Sequence, residues 1–121
     1  MEIKNAIIKS TSLSKEDHGI LSIWLHLDYG GSGQGFGGYS LYSPNFRPYP
    51  NITGHFIWRC LEIAGVESWD KLPGKSIRVE ANYDKVIRIG HILKEDWFNP
   101  TEDFKKMREE YEKVLREGIQ K

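Results

Sequence analysis

The chain has 121 residues, 17 Lys+Arg against 17 Asp+Glu for a formal net charge of +0, and one cysteine, Cys60. That length bounds about one domain; the balanced charge argues against a general nucleic-acid binder, which carries a strongly basic face, and a lone cysteine excludes an intramolecular disulfide or a thiolate zinc site. The opening MEIKNAIIKS lacks a cleavable signal pattern and no apolar run approaches the ~20 residues of a membrane span, so a soluble, cytoplasmic protein with no membrane partner is expected.

Ile3 to Thr11 holds Ile3, Ala6, Ile7 and Ile8 with no helix cap and reads as a first strand. Ile20 to Tyr29 alternates: Leu21, Ile23, Leu25, Leu27 and Tyr29 point one way, and Ile20, Ser22, Trp24, His26 and Asp28 the other. Tyr29 to Tyr39 then reads YGGSGQGFGGY, six glycines in eleven positions, and is expected to be the turn of a hairpin. A third strand is expected over Gly38 to Ser43, carrying Tyr39 and Leu41 on one face. Pro44, Pro48 and Pro50 make the following stretch a connection.

From Thr53 the stripe Phe56, Ile57, Cys60, Leu61, Ala64 marks a helix, with Thr53 or Asn51 as cap and Gly65 as its stop. Ile77, Val79 and Ala81 alternate with Arg78, Glu80 and Asn82 in a fourth strand, and Val86 to Leu93 forms a fifth that includes His91. Asn99 caps a last helix that opens on Pro100, with Phe104, Met107, Tyr111, Val114 and Leu115 in a narrow apolar stripe suited to the domain or to a second copy in a homo-oligomer. The fold class is therefore α+β. An antiparallel sheet of about five strands, in the order βββαββα, makes a domain over residues 1–99, with one helix packed on a face and an amphipathic helix over 100–121.

Glycine amides lacking Cβ neighbours can cradle phosphate oxygens, although the spacing here matches neither phosphate-loop fingerprint, and a plain hairpin tip is the competing interpretation. Beside that segment, Trp24, His26 and Asp28 form a row on the polar face of the second strand, with Arg78 and Arg88 projecting from other strands. An aromatic platform next to guanidinium forks can stack a base and pair a phosphate, and a solvated sheet face with Arg–Glu pairs explains the same pattern. The candidate ligand-binding set is Trp24, His26, Asp28, Gly33, Gly35, Phe36, Gly37, Tyr39, Arg78 and Arg88. His18 and His55 lack metal-ligand spacing, His91 reads as a hydrogen-bonded core histidine, and Cys60 as a small hydrophobe. No metal, cofactor or catalytic residue is assigned.

The blocks STSLSKEDHGILSIWLHLDYGGSGQGFGGYSL, EIAGVESWDKLPGKSIRVE and IGHILKEDWFNP resemble a group of small proteins of bacteriophages and prophages, over about Ile3 to Pro100. The resemblance implies an accessory role in an infected bacterial cytoplasm, counter-defence being one, and transfers no site residue. Three activities follow as expectations. The first is sequestration of a nucleotide-derived immune signal by Gly30 to Gly38 with Trp24, Tyr39 and Arg88. The second is inhibition of a host defence enzyme or nuclease through Trp24, Tyr42, Phe46 and Tyr49; the third is nucleotide hydrolysis with His18 or His26 as base.

Overall fold

Strict alternation over Leu21–Tyr29 produces strand β2, whose Ile23, Leu25 and Leu27 are buried while His26 and Asp28 are exposed, in the computed structural model of the chain, which describes residues 2–16, 19–44 and 50–119. Strand β1, Glu2–Lys15, runs antiparallel to it and is longer than the sequence suggested. A bulge between Ile8 and Ser10 lets its second half pair with β2 and its first half with β4, Ser76–Ala81.

The third strand is not where the glycines led us to expect it. Gly30 and Gly31 alone make the turn, at φ 70° and 83°, and the glycine-rich run itself is strand β3, Ser32–Gly37. Two residues at positive φ suffice to reverse a right-twisted hairpin, so the ladder closes at once on the pair Tyr29 and Ser32. Leu41 and Tyr42, expected in a strand, only flank the far end of β2 through an isolated bridge at Leu21.

Helix α1, Ile52–Ala64, starts on Asn51, whose side chain accepts the Gly54 N–H at 2.9 Å, and ends at Gly65 in the left-handed region. It buries Ile52, Phe56, Cys60 and Ile63 on the sheet. A short 3₁₀ turn, Trp69–Lys71, leads to β4. Strand β5, Val86–Gly90, stops before His91, and a two-residue strand β6, Trp97–Phe98, adds a sixth member to the sheet. His91 is accordingly a half-buried loop residue, with Nδ1 accepting the N–H groups of Leu93 and Lys94. Helix α2, Pro100–Ile119, follows, with Asn99 Oδ1 accepting the Glu102 N–H.

The sheet is antiparallel throughout, in the order β3-β2-β1-β4-β5-β6. Its two ends nevertheless meet: the Phe36 ring of β3 lies 6.0 Å from Phe98 of β6, and both pack on Phe56 of α1. The sheet thus curls around an aromatic core capped by α1. Phe104 of α2 closes that core against Tyr39 and His55, and His55 Nε2 pairs with Asp103 Oδ2 at 2.7 Å to fasten α2 to α1. Helical residues of this core share the concave side with Ala6, Ile8, Leu25, Phe36, Ile77, Val79 and Ile89. The convex face carries no helix among the described residues.

Candidate functional site on the convex sheet face

Cross-strand partners share a face, so the registers sort the predicted site residues. Trp24, His26 and Asp28 pair with Gly37, Gly35 and Gly33, and all six belong to the convex face. Arg78 and Arg88 stand on the same face of β4 and β5. Phe36 and Tyr39 do not. Phe36 pairs with Leu25, is fully buried, and stacks on Phe56, while Tyr39 packs on Phe104 with its hydroxyl bonded to Thr101; burial pushes the Tyr39 phenol up, and the Thr101 bond partly offsets this. Both rings serve the core because the odd-even alternation begins at Ser32 and not at Gly38.

The glycines of β3 answer a steric demand. A Cβ on Gly35 would lie 2.7 Å from Cε3 of Trp24, and one on Gly38 would lie 2.2 Å from Cζ2. The indole therefore lies flat on bare backbone, with Nε1 donating to Glu16 Oε1 at 3.1 Å. Nor do the amides converge. A strand turns successive N–H groups to opposite edges, and since Gly38 donates to Ile23 O, the even residues Gln34 and Phe36 face β2 while Gly33, Gly35 and Gly37 face the edge away from it, toward β5. An anion cradle needs consecutive amides aimed at one point, which this run as a strand does not supply.

A second indole on glycine occupies the other half of the face. Gly90 pairs with Trp97, and a Cβ there would lie 2.7 Å from the ring. The guanidinium carbons of Arg88 and Arg78 sit 4.1 Å and 4.8 Å from the Trp97 ring centroid. Both arginines are already partnered: Arg88 with Glu80 at 2.7 Å, Arg78 with the carbonyls of His91 and Lys94 at 2.8 Å and 2.6 Å and with Glu95 at 3.0 Å. The Arg78 bond, helped by the Trp97 indole, holds the Glu95 carboxyl below its usual range. From the opposite side Arg59 of α1 bonds Asp96 and the Trp97 carbonyl at 2.7 Å and 3.0 Å, so β6 is pinned across the sheet edge.

The two halves are neighbours, not one pocket. Through β1, Asp28 aligns with Ile7 and Arg78 with Asn5, placing them roughly 12 Å apart, whereas Trp24 aligns with Ser12 and Arg88, through Glu80, with Ile3, toward opposite ends of that strand. Between them the central strand presents Ile3 and Ile7, 55 % and 51 % exposed. His26 is also exposed, 3.3 Å from Ser12 Oγ. Tyr42 is exposed beyond the end of β2, while His18, Phe46 and Tyr49 lie outside the described residues.

Sequence reasoning missed Trp97 and the outward direction of Ile3 and Ile7. The signal for Trp97 was its place beside Phe98: of two adjacent strand aromatics, one must face away from the core. No family model, no curated protein and no solved structure matches the chain.

Proposed function

We propose that the chain is an accessory protein that covers a surface of a partner protein with its convex sheet face, the partner being a host defence enzyme or nuclease in the phage setting that the sequence resembles. The observation that carries this is the exposure of Ile3 and Ile7 at the centre of an uncovered sheet, flanked by two tryptophans. Solvated sheet faces ordinarily alternate to polar residues, whereas interface centres favour large aromatics, arginine and few lysines. Both indoles are held by glycine beds and by bonds to Glu16 and Glu95, so little side-chain freedom remains to be lost on association.

Co-purification from infected host cells tests the proposal. A partner retained by the native chain and inhibited by it should be released, and regain activity, with an Ile3→Lys/Ile7→Lys double variant of unchanged thermal midpoint. Equal retention by both proteins refutes it. Sequestration of a nucleotide-derived signal is the second reading. What favours it is not the glycine strand but a cleft at the other end of β1 and β2, floored by Ser22.

A further inference from the structure

Ser22 occupies the polar face of β2, opposite Ser14 of β1, yet is only 3 % exposed. Its Oγ is buried and has no hydrogen-bond partner among the described residues. An unbonded buried hydroxyl costs folding free energy that a bound partner would recover. It lines a surface cleft of about 410 Å³ together with Ser14, Lys15, Glu16, Tyr39 and Ser40.

We infer that this cleft binds a small oxyanion, a carboxylate or a phosphate group, with Ser22 at its floor. Lys15 pairs with Leu21 and so starts from the other face of β1, but it lines the cleft at the strand's end and there supplies the full positive charge, while the hydroxyls of Ser14, Ser22 and Ser40 rotate to donate, which is the donor set an oxyanion requires. Glu16 is the opposing charge. Its Oε1 accepts the Trp24 indole N–H at 3.1 Å, which ties that oxygen to the wall and leaves a repulsion that keeps the affinity modest. The segment Gly38–Ser40 lies outside any strand, between β3 and the bridge at Tyr42. It is the wall that yields to admit a ligand oxygen to Ser22.

Acetate and inorganic phosphate, titrated separately at constant ionic strength against the ¹⁵N-labelled full chain, provide the test. At least one should give saturable amide shifts at Ser22, Tyr39 and Ser40, and which one responds tells a carboxylate site from a phosphate site. Ser22→Ala should weaken that binding roughly tenfold, the loss of one hydrogen bond to a charged group. Glu16→Gln should strengthen it while keeping an acceptor for the indole. Lys15→Met, at an exposed position, serves as a second weakening variant independent of the floor. No saturable response to either anion, or equal affinity in Ser22→Ala and Lys15→Met, overturns the site. Failure here leaves the partner-covering face untouched, since neither Ile3 nor Ile7 lines the cleft.

Discussion

A methyl group at position 35 is the sharpest probe of this sheet. Gly35→Ala places Cβ 2.7 Å and 2.9 Å from two ring carbons of Trp24, closer than carbon atoms approach, and the indole has to lift from β3. A tryptophan buries on the order of 150–250 Å², and Trp24 is half-buried, so lifting it re-exposes roughly 80 Å², or about 2 kcal/mol at ~25 cal/mol per Å². The indole's exposed bond to Glu16 adds roughly 0.5 kcal/mol, and replacing glycine in a strand returns ~0.5–1 kcal/mol. A net loss of about 1.5–2 kcal/mol is expected. In a Trp24→Ala background the obstruction is gone, so the same substitution should stabilise by ~0.5–1 kcal/mol, a reversal of sign with a coupling of about 2.5 kcal/mol. Urea unfolding followed by circular dichroism, with unchanged slope, reads all four corners of the cycle. If Gly35→Ala destabilises equally with and without Trp24, the glycines are not the bed of the indole and the account of β3 is wrong.

Four further outcomes are expected. Ser22→Ala deletes an unpartnered buried hydroxyl and should raise stability by about 1 kcal/mol in the same unfolding assay; a loss of that size would show that the hydroxyl is bonded after all. Asp103→Ala removes the half-buried partner of His55 and should cost roughly 1 kcal/mol, with faster amide exchange confined to the first turns of α2. The Arg59 bonds, with its charge, lower the Asp96 pKa against the smaller effect of burial, so the stabilisation is fully present above the ordinary carboxylate range and is lost as pH falls through the lowered folded-state value; Asp96→Asn should flatten that acid limb of the stability curve. If the tail pairs copies of the chain, removing Lys113–Lys121, with the exposed Val114 and Leu115, should reduce the solution mass to that of the monomer and lower the thermal midpoint to a value independent of protein concentration. A monomer before and after truncation refutes pairing through this tail.

Period-two alternation in β2 and β4, the Asn51 and Gly65 ends of α1 and the Asn99 cap of α2 were all legible in the sequence, because each is set by neighbours within a few residues. So was the burial of Cys60, whose thiol pKa is pushed up by its surroundings. The α+β class followed from those elements alone. The glycine run was legible only as unusual. Whether its bare backbone serves a turn, a guest or a neighbouring side chain depends on what lies across the ladder, and Trp24 and Gly35 become opposed only once the two-residue turn has set the register.

Direction was the other matter left to tertiary structure. Ile3 and Ile7 carry the same β-branched signal as Ile8, and only the curl of the sheet, which brings Phe36 to Phe98 under α1, decides that Ile8 faces the core and the other two face outward. The His55–Asp103 pair joins residues 48 apart, and the Ser22 cleft gathers side chains from β1, β2 and the segment after β3. By itself the sequence determined which stretches are strands and helices and which side chains alternate along them, since those preferences are local. Which face meets the core, which glycine lies beneath an indole and which hydroxyl is left unbonded were decided by long-range packing, because each depends on atoms that the chain brings together only when it folds.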